Sequence, residues 1–113
     1  MTQGQGSIAL VGMPGCGKSN VGRHLARQLG WRFVDSDNEI ERQIGGSIRT
    51  FFEQQGEAAF RDLEQQIIAG LTLQPEMVLA TGGGAALREA NRRALKAGCK
   101  VVYLRSTPEE LFR

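Results

Sequence analysis

The sequence predicts an α/β domain, a parallel sheet flanked by helices in three layers, on three observations. Short apolar runs alternate along the chain with segments of helical periodicity. The runs are near-continuously apolar, as in strands buried on both faces. The first run leads through Gly12-Met13-Pro14-Gly15-Cys16-Gly17-Lys18-Ser19, spaced G-x-x-x-x-G-K-[ST], into a helical pattern, which is the strand, loop, helix order of a phosphate-binding loop.

Taken in order, Met1 to Gly6 are polar and without periodicity. A first strand is expected over Ser7 to Val11 and a helix from about Lys18 to Gln28, with Val21, Leu25 and Leu29 at helical spacing. Gly22 inside that helix allows close packing on the sheet, and Gly30 ends it. Trp31 to Val34, aromatic and β-branched, reads as a second strand. It delivers Asp35-Ser36-Asp37 at its carboxyl end, where open α/β sheets bind ligands. Ser36 and Glu39 have capping-box spacing, so a helix is expected from Asp37 to about Ile44, stopping at Gly45-Gly46, with Ser47 starting another.

After Gly56, the spacing of Phe60, Leu63, Ile67 and Leu71 predicts a long amphipathic helix through about Leu73. Pro75 breaks the pattern, Met77 to Ala80 is a third strand, and Gly82-Gly83-Gly84 follows its exit. A helix near Arg88 to Lys96 and a strand over Val101 to Leu104 complete the alternation. Ser106, Thr107, Pro108, Glu109 and Glu110 carry helix-start signals with no stop before Arg113. Residues 1–113 therefore read as one domain, C-terminally incomplete, which suits a length short of a complete doubly wound fold.

Composition narrows the function. Fourteen basic against twelve acidic residues leave +2 with no basic run, so neither nucleic acid nor an anionic membrane is an expected partner. No apolar run approaches ~20 residues and no charged-then-apolar leader opens the chain, so a soluble, cytoplasmic protein is expected; a small-molecule partner and a monomer are the accompanying expectations. Cys16 and Cys99 form neither a metal set nor a disulfide framework. His24, among Arg23 and Arg27, belongs to a solvated helix face.

The loop's residue types follow from its chemistry. Glycines let successive N–H groups turn inward on phosphate oxygens, and the following helix adds its positive dipole end. Gly15, Cys16, Gly17, Lys18, Ser19 and Asn20 form the expected nucleotide-binding run. Lys18 reaches the β/γ-phosphates, and the Ser19 hydroxyl ligates Mg²⁺. A dinucleotide fingerprint would need a third glycine where Asn20 stands.

Asp35 and Asp37, two apart at a strand exit, face one way in an extended segment. One could complete a Mg²⁺ shell while the other orients an attacking hydroxyl. A pair of acids satisfying a helix dipole is the alternative. Gly82 to Gly84 could present backbone N–H groups to a substrate, and a tight strand-to-helix turn explains them almost as well. Arg61 could pair bidentately with a carboxylate or be solvated, like Arg49, Arg88, Arg92 and Arg93. The residues alone reach a Mg-nucleotide phosphotransferase or hydrolase.

Four segments take the reading further. Besides the loop, Asp35-Ser36-Asp37-Asn38-Glu39-Ile40-Glu41, Gly56-Glu57-Ala58-Ala59-Phe60-Arg61-Asp62-Leu63-Glu64 and Thr81-Gly82-Gly83-Gly84 occur in order and spacing as in the shikimate kinases, which the chain resembles over nearly its whole length. Related kinases such as gluconate kinase share the loop but not this set. The resemblance implies a P-loop NTPase-type fold and transfer of the ATP γ-phosphoryl group to the 3-hydroxyl of shikimate, giving shikimate 3-phosphate and ADP in aromatic amino-acid (chorismate) biosynthesis.

By the same resemblance, Lys18 and Ser19 bind the ATP phosphates and Mg²⁺, and Asp35 is an outer Mg²⁺ group. Asp37 binds shikimate hydroxyls and orients or deprotonates the attacking one. Arg61, assisted by the Gly82 to Gly84 backbone, holds the shikimate carboxylate, and Phe52 and Phe60 line the acceptor pocket. The family continues into a lid with an arginine, a second carboxylate-binding arginine, an adenine loop and a last strand, and the resemblance implies that the sequence stops before them. A nucleotide-binding fragment without turnover is the rival expectation for the chain by itself.

Overall fold

The computed structural model describes residues 6–12, 18–82 and 84–104. The strands are β1 (Ser7–Gly12), β2 (Arg32–Asp35), β3 (Met77–Ala80) and β4 (Cys99–Leu104). The helices are α1 (Lys18–Leu29), α2 (Ser36–Ile44), α3 (Ile48–Gln55), α4 (Glu57–Leu71) and α5 (Glu89–Gly98), with a short 3-10 turn over Ala85–Leu87. All four strands are parallel, in the order β2-β3-β1-β4. Ile8 pairs with Val78, Ser7 with Cys99 and Arg32 with Met77.

Apolar alternation along buried strands gives each face of the sheet its own core. Ala9, Val11, Met77 and Leu79 point to one face and meet Ile68 and Leu71 of α4 and Leu95 of α5. Leu10 and Val78 point to the other and meet Ala26 of α1, with Val21, Leu25, Trp31 and Phe33 packed around them. Three layers result, as the sequence predicts. Gly22 sits where a Cβ would come within 2.6 Å of the Phe33 ring, so the expected close packing of α1 is present.

Strand order places the site. The chain leaves β1 through α1 toward β2 on one side, and leaves β3 through α5 toward β4 on the other. Right-handed crossovers in opposite directions put α1 and α5 on opposite faces, so the carboxyl ends of the adjacent strands β1 and β3 form a topological switch point. Thr81 holds the exit of β3 against β1, its backbone N–H and its Oγ1 both donating to the Leu10 carbonyl at 3.1 Å.

Several boundaries differ from expectation for local reasons. The α2 helix begins at Ser36, not Asp37, because Asp35 is its N-cap. The Asp35 carboxylate accepts from the N–H groups of Asp37 and Asn38, displacing the Ser36–Glu39 capping box. The β2 strand runs one residue later than Trp31 to Val34, and β4 begins at Cys99, paired with Ser7, two residues before Val101. The α4 helix stops at Leu71, where Thr72 stays buried with its Oγ1 donating to the Ala69 carbonyl and Leu73 turns outward, 85% exposed. Ser47 caps α3, its Oγ accepting from the Thr50 N–H at 3.1 Å, and Gly45 closes α2 at φ 71. The helix expected from Ser106 lies outside the described residues.

Candidate active site

The site is built from three segments that leave the carboxyl ends of β1, β2 and β3. On the first, Ser19 stands in the opening turn of α1 and its Oγ donates to Asp35 Oδ2 at 3.0 Å. Gly15, Cys16 and Gly17 lie outside the described residues, as does the side chain of Lys18, the first residue of α1. Asn20 is exposed on α1.

On the second segment the two acids divide their work. Asp35 Oδ1 accepts from the N–H groups of Asp37 at 2.9 Å and Asn38 at 3.3 Å, while Oδ2 takes the Ser19 hydroxyl. One carboxylate thus fixes α2 and reaches the loop helix. Asp37 is half-buried and lies against the glycine segment, where a Cβ on Gly82 would fall 2.6 Å from its Oδ1. Between them Ser36 is fully buried, its Oγ accepting from the Gly82 N–H at 3.2 Å.

The third segment runs from Gly82 past Gly84, which lies against Arg61 of α4. A Cβ on Gly84 would lie 2.5 Å from Arg61 Nη2 and 2.6 Å from Nη1, so the missing side chain is what admits the guanidinium. Gly83 lies outside the described residues. Arg61 is not the solvated arginine that its isolated position allowed. Its side chain is 18% exposed, and Nη1 donates to Glu64 Oε1 at 2.9 Å. Its Nε lies 3.7 Å from Glu57 Oε2, and Cζ lies 5.1 Å from the centre of the Phe60 ring. Phe52 and Phe60 stack obliquely, ring centres 5.6 Å apart.

Four residues support this array in ways that their sequence positions did not disclose. Glu64 is 1% exposed and holds Arg61, and the i, i+3 spacing of a cation and an acid on one helix was the available signal. Ser36 was read as a cap. Arg88, expected in solvent, donates from Nη1 to Asp62 Oδ1 at 2.7 Å and Gln65 Oε1 at 3.0 Å, pinning the turn after the glycines to α4. Buried Asn91 donates from Nδ2 to the Ala85 carbonyl at 2.9 Å. Nothing in its sequence neighbourhood marked Asn91 out.

The Ser19 hydroxyl and Asp35 carboxylate form a pair of hard oxygen donors, which suits Mg²⁺. Among the described residues no three His, Cys, Asp or Glu side chains converge on a metal-sized site. That donor set fits a cation held by few protein oxygens and by phosphates, and not a protein cage. Among the described residues, no helix is long and apolar enough to cross a membrane.

A switch point that joins a phosphate-loop sequence to two acids and a recessed arginine defines an α/β protein of the phosphate-loop class. Comparison with known proteins narrows the class. The shikimate kinase family model matches residues 14–113, and the chain belongs to that family. It is 60% identical over 109 residues to the shikimate kinase of Paracidovorax citrulli, covering 95% of this chain and 60% of that protein. With the Burkholderia lata shikimate kinase it shares 51% over 106 residues, covering 94% of this chain and 58% of that protein. The chain thus spans less than two thirds of the length of these relatives.

Among solved structures, shikimate kinase from Acinetobacter baumannii in complex with shikimate superposes with a TM-score of 0.87 at 50% identity, over 95% of this chain and 59% of that one. A gluconokinase from Sinorhizobium meliloti reaches 0.57 at 22% identity, over 88% of this chain and 57% of that one, a likeness of fold alone.

Proposed function

We propose that the protein to which this chain belongs is an ATP- and Mg²⁺-dependent phosphotransferase that moves the γ-phosphoryl group of ATP to the 3-hydroxyl of shikimate. The products are shikimate 3-phosphate and ADP. The observation that carries this reading is the adjacency, within a chain of this family, of the Ser19–Asp35 oxygen pair to the Asp37, glycine, Arg61 array. One half is suited to a metal-bound phosphate and the other to a hydroxylated carboxylate.

In this reading Gly15, Cys16, Gly17, Lys18, Ser19 and Asn20 hold the nucleotide phosphates, and Ser19 with Asp35 holds Mg²⁺. When bound, the cation neutralises charge on the β- and γ-phosphate oxygens. Lys18 adds a second positive charge there, and Asp37 orients the acceptor hydroxyl and takes its proton as the oxygen attacks. Arg61 receives the acceptor carboxylate through its planar fork, assisted by the backbone of Gly82, Gly83 and Gly84. Phosphoryl transfer asks chiefly for positioning and charge compensation, and these groups supply both. Residues 1–113 are read as a single domain contribution to a cytoplasmic, monomeric enzyme with a small-molecule substrate.

The test is ADP release by the full-length protein with shikimate and with gluconate. Turnover of shikimate is expected, and turnover of gluconate with none of shikimate overturns the reading. Arg61→Lys keeps the charge beside Glu64 but loses the fork, so the shikimate KM should rise at least about tenfold with the MgATP KM nearly unchanged.

A further inference from the structure

The geometry points to Ser36 as a positioning residue that sets the gap between the Asp37 carboxylate and the glycine segment, and so the fit of the acceptor. It rests on the acceptor assignment above and deepens it. Ser36 opens α2, yet its hydroxyl caps nothing, since Asp35 receives the N–H groups of Asp37 and Asn38. At 0% exposure its side chain is shielded from solvent, and its Oγ instead accepts from a backbone N–H 46 residues away, that of Gly82.

That single contact joins two segments at the point where they carry the acceptor groups. Ser36 is flanked in sequence by the two site acids, and Gly82 begins the glycine run. Gly82 also packs so closely on Asp37 that even a methyl group would collide with Oδ1. The far end of the run is held separately: Gly84 lies against Arg61, Asn91 holds the Ala85 carbonyl, and Arg88 is tied to α4. The near end is held to β1 through Thr81 and to α2 through Ser36. A partly buried N–H that loses its acceptor draws the backbone toward another partner or toward water. In Ser36→Ala the start of the glycine run therefore moves relative to Asp37, while the Ser19–Asp35 pair keeps its own bonds, none of which involves Ser36 Oγ. The same bond also commits the Gly82 N–H to the protein.

The test compares full-length wild type with Ser36→Ala, which removes the acceptor oxygen, and Ser36→Thr, which keeps it. Ser36→Ala should raise the shikimate KM about tenfold and leave the MgATP KM within about twofold, with Ser36→Thr recovering most of the loss. Hydrogen exchange at the Gly82 amide should be slow in wild type and Ser36→Thr and faster in Ser36→Ala. An unchanged shikimate KM in Ser36→Ala overturns the role. Both KM values rising together with a lowered thermal midpoint also overturn it, since that is what a merely structural serine gives. If Ser36→Ala does not fold, rapid exchange of the wild-type Gly82 amide still refutes the contact. A wild-type protein without shikimate turnover sinks the acceptor assignment itself, whereas an active one with an indifferent Ser36→Ala sinks only the role of Ser36.

Discussion

A methyl group added at Gly98 would lie 2.1 Å from the carbonyl oxygen of Thr72, whereas one added at Gly84 would meet the tip of the Arg61 side chain at 2.5 Å. The first obstacle is backbone where α4 ends and α5 closes. Gly98→Ala should therefore cost about 3 kcal/mol, read as a shift in the urea midpoint. The second obstacle can swing aside, so Gly84→Ala should keep most of its stability and lose acceptor binding instead. Arg61 and Glu64 are unequal partners in the same sense. Removing Arg61 strands a carboxylate that is 1% exposed, while removing Glu64 leaves an arginine that still reaches water. Arg61→Ala should thus destabilise by about 3 kcal/mol and Glu64→Ala by clearly less, which paired denaturation curves would check. Cys99 is half-buried, and burial pushes its thiol from an ordinary value of 9.0 up to about 11. An acid whose value rises on folding leaves stability untouched below its unfolded value and lowers it as pH climbs toward the folded one. Stability should fall between pH 9 and 11 in wild type and stay flatter in Cys99→Ala, and alkylation of the thiol near pH 8 should be slow.

At the scale of elements, α2 shows where residue patterns inform and where they mislead. Its existence, its stop at Gly45 and the start of α3 at Ser47 were all legible, because caps and breakers act within a few residues. Its first residue was not. Two neighbouring side chains, Asp35 and Ser36, can each cap, and the choice is made by distant groups: Ser19 draws the Asp35 carboxylate and Gly82 draws the Ser36 hydroxyl. Asp35 therefore has a structural and a site duty that substitution can separate. Asparagine caps about as well as aspartate, so Asp35→Asn should change stability by less than about 1 kcal/mol. It removes the negative charge beside Ser19, so Mg²⁺-dependent nucleotide affinity should drop several-fold in a titration calorimeter.

Across the whole molecule, the alternation of strands and helices was readable from periodicity, and the order β2-β3-β1-β4 was not. Pairing of β1 with β3 joins residues some 70 positions apart, and nothing local encodes which strand enters the middle. The candidate site shows the same division. Its acids, glycines and Arg61 stood out by type and spacing, but their supports, Ser36, Glu64, Arg88 and Asn91, act through contacts that exist only in the folded chain. The two cores share one sheet, which argues for cooperative loss of both faces. Gly22→Ala, crowding the Phe33 ring on the α1 face, and Gly98→Ala, on the α4–α5 face, should each shift one common transition without splitting it.

Trp31, packed on the α1 face with its backbone N–H donating to the Ala26 carbonyl, is the chain's single tryptophan. Its emission is consequently a built-in optical gauge of whether the helix that carries Lys18 and Ser19 is seated, legible in a cuvette at micromolar protein without any label.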